Sequence, residues 1–246
     1  MRIATWTIDR HAPETAAAQT LLERIAAETP DVVCLTQAHE GSLASLVARL
    51  GGEVVFDRGA TWGEEQPTSR KIALWSKAHW RDRIEMAGPS SLGGAISAIT
   101  ETDLGALRVV GVCAPSPFAS PGGKLPRPPH WSMHIAYLEA FGVSLKALDR
   151  RQPTIIVGAF NQFVPLTWGA WPAHHALMAV LNGFGIVTQG DIAPSGEPTI
   201  DHIAVSKHLR ASAVRGLNRF DSKDKALTDQ FGVLVDLESG GVQVFD

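Results

Sequence analysis

The chain has 246 residues, 45% of them hydrophobic, and a formal net charge of −3. That length and apolar content suffice for one sizeable core, so a single domain over residues 1–246 is expected. The slight acidity provides no chain-wide basic face for nucleic acid or an anionic membrane. The opening "MRIATWTIDR" lacks the apolar stretch of a secretory signal, and no run approaches the roughly 20 apolar residues of a membrane span, so a cytoplasmic monomer is the default expectation.

Strand signals come first in chain order. "RIATWTI" (2–8) alternates, and "DVVCLT" (31–36), "EVVFD" (53–57) and "KIALWS" (71–76) follow. Between the first two, "PETAAAQTLLERIAAE" (13–28) reads as a helix with an early proline and apolar Leu21, Leu22, Ile25 and Ala26 on one face. A second helix, "SLASLVARL" (42–50), stops at Gly51-Gly52. "AISAITET" (95–102) and "LRVVGVC" (107–113) are further strands, followed by a Pro/Gly-rich loop (114–129) and an amphipathic helix at 130–148 weakened by Gly142. Then come the strand "TIIVGA" (154–159), a loop with Trp168 and Trp171, a helix at 174–185, and the strands "DHIAVS" (201–206) and "FGVLVDL" (231–237). Several strands are continuous apolar runs, as expected when both faces of a sheet are covered. Mixed strands and helices of this kind suggest an α/β fold of two packed sheets with helices outside.

"IIVGAFNQ" (155–162) poses the functional question. A buried strand runs into Gly158, which lets a ligand approach the backbone, and then into polar Asn161. A strand end that serves phosphate chemistry usually presents an acid, yet Ala159 offers a methyl group. The two cysteines, Cys34 and Cys113, lie in apolar runs without metal-ligand spacing and read as reduced packing residues.

Five segments in order resemble the endonuclease/exonuclease/phosphatase family, the metal-dependent phosphodiesterases related to deoxyribonuclease. The family's opening strand resembles "RIATWNI", here "RIATWTI"; its "DVVCLQE" is here "DVVCLTQ"; its "VVGDFN" is here "IVGAFN"; "IDHI" is intact; and "LSDHFPVVVDL" is here "LTDQFGVLVDL". The matches span residues 2–237. The resemblance implies a four-layer α/β/β/α sandwich with its site where strand ends of both sheets meet.

It also implies a set of roles. The first-strand Asn falls on Thr7, the metal-binding Glu on Gln37, the central-strand His or Tyr on Cys113, and the Asp that orients the nucleophile on Ala159. Asn161 and Asp201 are retained, while the closing Asp-His pair appears as Asp229 and Gln230. Mg would rest on Gln37, Asp201 and Asp229. Glu to Gln keeps shape but loses the anion a hard cation needs. Asp to Ala deletes a functional group, and His to Gln removes the titratable nitrogen.

The resemblance therefore implies a phosphoesterase scaffold with a degraded site, inactive or severely impaired in hydrolysis. One alternative is an active Mg-dependent phosphodiesterase, nuclease or phosphatase using Asn161, Asp201 and Asp229 with His39 or Glu40 as substitute ligands. Another is a non-catalytic binding or interaction module. His39 and Glu40 read first as polar loop residues leading to a Ser42 cap, ahead of any role as ligand or base. His202, by alternation, points away from the side of Asp201 and reads as packed. His174 and His175 read as surface or cap residues. Trp168 and Trp171 offer faces for stacking on a base or sugar, or else cover the core's edge. Arg70 and Lys71 are placed to reach phosphate, or to charge a strand edge. Lys124, Arg127 and His130 read as local positive charge near the same rim or, equally, as a solvated loop. The expected ligand is a phosphate-bearing small molecule or nucleic acid.

Overall fold

The structure, a computed structural model, describes residues 1–57, 68–86, 93–120 and 128–240; Lys124 and Arg127 lie outside them. The first strands are β1 (Arg2–Thr7), β2 (Val32–His39), β3 (Glu53–Phe56), β4 (Ser69–Ser76), β5 (Arg81–Glu85), β6 (Gly94–Thr102) and β7 (Gly105–Cys113). The rest are β8 (Thr154–Ala159), β9 (Phe184–Ile186), β10 (Asp191–Ile192), β11 (Glu197–Pro198), β12 (Asp201–Ser206), β13 (Leu209–Leu217) and β14 (Gly232–Ser239). The helices are α1 (Ala16–Ala27), α2 (Glu40–Leu50), α3 (Ser132–Lys146) and α4 (Trp171–Val180).

One six-stranded sheet runs β13-β14-β1-β2-β4-β3 and the other β5-β6-β7-β8-β12-β9, with β10 and β11 as a separate hairpin. Each sheet has one parallel pair, β1/β2 and β7/β8, and each pair is bridged by a helix, α1 or α3. A parallel pair needs such a crossover, because a tight turn joins only antiparallel strands.

The sheets pack face to face through Ile3, Val32, Ile72 and Leu74 on one side and Ile96, Val109, Ile155, Val157 and Ile203 on the other. Leu21, Leu22, Ile25, Leu43 and Leu46 cover the outer face of the first sheet, over Trp6, Leu35 and Trp75. Tyr137, Leu138, Phe141, Leu145 and Leu177 cover the second, over Val110, Val112 and Ile156. The four-layer α/β/β/α sandwich is thus as expected. Burial on both faces explains why the central strands read as unbroken apolar runs.

Several local expectations change. Helix α2 begins two residues before Ser42, and its cap is His39, whose Nδ1 accepts from the Gly41 amide at 3.0 Å. Accepting at Nδ1 leaves the proton on Nε2, which donates to Thr68 Oγ at 3.0 Å. Gly158 has φ of 132°, and a Cβ there would fall 2.1 Å from the Val112 carbonyl oxygen. The glycine therefore accommodates strand β7 rather than a ligand. Gly142 faces Val180 where α3 meets α4, so it serves helix packing. Strands β5 and β13 carried no apolar alternation: both are edge strands, with "RDRIE" exposed throughout and "LRASAVRGL" bulged between Ala211 and Ala213. Charges and bulges on edges discourage pairing with other chains, and they erase the strand signal. Among the described residues no helix is long and apolar enough to cross a membrane.

Candidate functional site

The site lies where strand ends of both sheets meet. In the second sheet, Cys113 pairs with Ala159 and Ala159 with Asp201, so the three form a row across adjacent strands. In the first sheet Thr7 pairs with Thr36. The rows face one another, and Thr7 closes the gap: its amide donates to Asp201 Oδ2 at 2.9 Å and its hydroxyl to Asp201 Oδ1 at 2.8 Å. The Thr36 hydroxyl lies 2.7 Å from Thr7 Oγ. Since the Thr7 hydrogen is given to Asp201, Thr36 is the donor in that contact.

Asp201 is fully buried, and burial pushes its carboxyl up to about 6 against the lowering effect of both Thr7 donors. Asp9 adds repulsion. Burial also pushes the Cys113 thiol up to about 12, so it is neutral near pH 7; Lys71 lowers it and Asp201 raises it. Cys113 is thus under the influence of both a cation and an acid.

The remaining expected positions cap the same strand ends. Asn161 follows β8 in the left-handed region, with φ of 54°, and its Nδ2 donates to the Ala114 carbonyl at 2.6 Å. It ties the loop after β8 to the loop after β7. Gln230 precedes β14, and its carbonyl accepts from the Trp6 indole at 2.9 Å, which fixes this turn to β1. Asp229 is exposed; its amide donates to Asp9 Oδ2 at 3.0 Å and its carbonyl accepts from Arg219. Gln37 sits in β2 with φ of 53°, a left-handed break in the strand.

Two residues gain importance that the sequence motifs did not give them. Asp9, two residues past Thr7, is raised by burial and by the neighbouring Asp229 carboxylate. Its signal was the continued alternation of "TWTID" beyond the strand. Lys71 is not an edge charge: its residue is 2% exposed, and burial lowers its pKa while Cys113 and Asp57 oppose that.

Other expectations give way to local partners. The Arg70 guanidinium pairs with Glu40, with Nε donating to Oε1 at 2.6 Å, and lies 5.0 Å from the Phe56 ring. That places it against α2 and β3 rather than on a phosphate, and it occupies Glu40, the supposed substitute ligand. His39 is likewise engaged as the α2 cap. His202 is packed as expected: Nε2 lies 3.0 Å from the Gln162 carbonyl and Nδ1 3.0 Å from Thr188 Oγ, and burial lowers it to about 4. Trp168 and Trp171 are 53% and 63% exposed, so neither covers the core's edge. Trp168 leans on Trp131 and Phe118, Phe118 meets His130 edge-on, and Trp171 lies against His174 and His175. Phe118 and Trp168 lie in the loops after β7 and β8 and rim the same end, whereas Trp171 opens α4, which runs Trp171–Val180 rather than over the expected 174–185.

The donors do not fit the Mg ion implied by the resemblance. Gln37 is neutral, each Asp201 oxygen already accepts from Thr7 and the carboxyl is fully buried, and Asp229 is exposed. Among the described residues no group of three or more His, Cys, Asp or Glu side chains is arranged to hold a metal ion. Hard divalent cations need several oxygen ligands.

No curated protein matches the sequence. Solved structures share the fold at low identity. An endonuclease/exonuclease/phosphatase from Beutenbergia cavernae matches with a TM-score of 0.68 and 16% identity, over 98% of this chain and 72% of that one. An AP endonuclease from Archaeoglobus fulgidus matches with 0.68 and 16%, over 96% and 98%. D. rerio TDP2, complexed with single strand DNA product, matches with 0.70 and 12%, over 97% and 98%. Residues 9–224 match the sequence model of the Endonuclease/Exonuclease/phosphatase family. With the two-sheet sandwich and the five ordered motifs, this match establishes that the chain belongs to the endonuclease/exonuclease/phosphatase family and has its phosphoesterase scaffold.

Proposed function

We propose that this protein binds a phosphate-bearing ligand at the strand-end cleft, and that its hydrolytic activity is absent or severely reduced. The observation that carries the reading is the Thr7–Asp201 clasp. A carboxylate that accepts at both oxygens from one residue of the facing sheet, deep in the core, ties the two sheets together as a strut, and it is the one buried acid among the expected metal positions. Gln37 and Ala159 support the same reading, since neither supplies an anion for metal or nucleophile. Exposed Trp168 and Trp171 suit stacking on a ring of the ligand, a small molecule or a nucleic-acid end.

The test is turnover of a panel of phosphomonoesters and phosphodiesters, with and without Mg²⁺, alongside calorimetric binding of the same compounds. Binding without turnover is expected. Failure to bind any phosphate compound favours an interaction module.

A second reading, an active Mg-dependent phosphoesterase, has one observation in its favour. Asp9 and Asp229 approach each other at the mouth of the cleft, joined by the Asp229 amide. Two acids held together attract a cation. Mg²⁺-dependent turnover that disappears in Asp9→Asn would establish this reading and overturn the first.

A further inference from the structure

The register of β2 and β4 pairs Thr36 with Ile72 and Ala38 with Arg70. Gln37 and Lys71 thus lie between these two pairs, on neighbouring strands at the left-handed break in β2. The side chains flanking Lys71 divide between the two faces of the sheet. Arg70 goes outward to Phe56 and Glu40, whereas Ile72 enters the core between the sheets. Lys71 is itself almost wholly buried, and its neighbour Ile72 packs on Gly111 of β7, two residues before Cys113 in the same inter-sheet core, where the charge of Lys71 acts on the thiol.

We infer that Lys71 supplies the cation of this cleft, in place of a metal ion, for a phosphate-type anion held at the strand ends. The inference rests on the reading that the cleft takes a phosphate-bearing ligand. Adjacent strands are about 4.8 Å apart, so the row from Cys113 through Ala159 to Asp201 spans roughly 10 Å. Lys71 acts at its Cys113 end, and the floor between is a neutral thiol and a methyl group. The neighbouring position on β2 is an amide. A glutamate at position 37 would add a second carboxylate beside Asp57 to those acting on Lys71 and weaken its field in the cleft further; Gln37 does not. Asp57 shares Lys71 electrostatically from the end of β3. In a poorly solvated site a fixed charge reaches farther than in water, so Lys71 attracts an anion without needing solvent exposure. The site has thus exchanged a carboxylate-held ion for a covalently held one. A lysine favours binding an anion but does not activate a water as a metal does.

The experiment is calorimetric titration of inorganic phosphate into the full chain in EDTA, with unfolding curves for each variant. Wild type is expected to bind equally well with and without Mg²⁺. Lys71→Met should weaken binding at least tenfold, and Lys71→Arg should retain it. Gln37→Glu should weaken it comparably, because the new carboxylate acts on Lys71 beside Asp57; this variant keeps the buried charge compensated and so tests the inference even if Lys71→Met does not fold. Unchanged phosphate binding in folded Lys71→Met or in Gln37→Glu overturns the inference alone and leaves Lys71 as a structural partner of Asp57. Wild type that binds phosphate only with Mg²⁺, or not at all, overturns both the inference and the reading beneath it.

Discussion

Replacing Asp201 by asparagine should reshape the pH dependence of stability. The carboxyl titrates at about 6 in the folded protein against 3.8 ordinarily, because of burial. A proton is thus held more tightly in the folded state, and stability is lost as pH rises from about 4 through 6. At about 1.4 kcal/mol per pH unit the loss is about 3 kcal/mol. The neighbouring His202 works in the opposite sense. Burial lowers it from 6.5 to about 4, so stability is lost as pH falls through the same window, again by about 3 kcal/mol. The two contributions offset one another in the wild type.

Asp201→Asn removes one of them. Its amide oxygen can accept from the Thr7 amide, while its NH₂ donates to the Thr7 hydroxyl, which then turns its hydrogen to Thr36. The contacts survive, at a cost of about 1 kcal/mol for weaker hydrogen bonds. The variant should therefore be more stable than wild type by about 2 kcal/mol above pH 7. It should lose about 3 kcal/mol more than wild type on acidification to pH 4. In a chain of this size that is a relative shift of roughly 6–12 °C in Tm between the two ends of the range. Urea and thermal unfolding across about pH 4–8 would measure it. Parallel wild-type and variant profiles would refute the buried, proton-holding Asp201.

Gly158→Ala should destabilise severely, by about 3 kcal/mol or more, since it meets the Val112 carbonyl and a φ of 132° together. Gly51→Ala, at φ of 71° and ψ of −150° but with open space around it, should cost less, about 2 kcal/mol from backbone strain alone, and chemical denaturation compares the two. Restoring Gln37→Glu, Ala159→Asp and Gln230→His together should yield no turnover while Lys71 is present to capture Glu at position 37. Adding Lys71→Met should yield Mg²⁺-dependent phosphoester hydrolysis, because metal, nucleophile orientation and anion stabilisation act as a unit. Turnover in the triple variant without the Lys71 change would contradict that order.

The sandwich was legible because its central strands are covered on both faces and so read as apolar runs, each ending in a motif residue. Thr7, Ala159, Asn161, Asp201 and Gln230 were found at strand ends for that reason. The edge strands β5 and β13 were not, since an edge carries charge and small residues rather than a pattern. Pairings across distant sequence were out of reach. Nothing local tells that Thr7 donates to both oxygens of Asp201, 194 residues away, or that β2 and β4 bring Gln37 and Lys71 to neighbouring positions. His39 reads as a loop residue because its ring nitrogen substitutes for the serine or aspartate expected at a helix cap. Arg70 reads as a phosphate contact until its partner Glu40 is known, and that pairing comes from the register of β2 against β4.

The central claim is that this cleft has lost its divalent ion and keeps Asp201 as a strut. Titration of Mg²⁺ into the metal-free protein by calorimetry tests it most directly, above the Asp201 pKa of about 6 so that the carboxylate is ionised. The account predicts no saturable binding below millimolar Mg²⁺. Micromolar binding that is abolished by Asp201→Asn would contradict it.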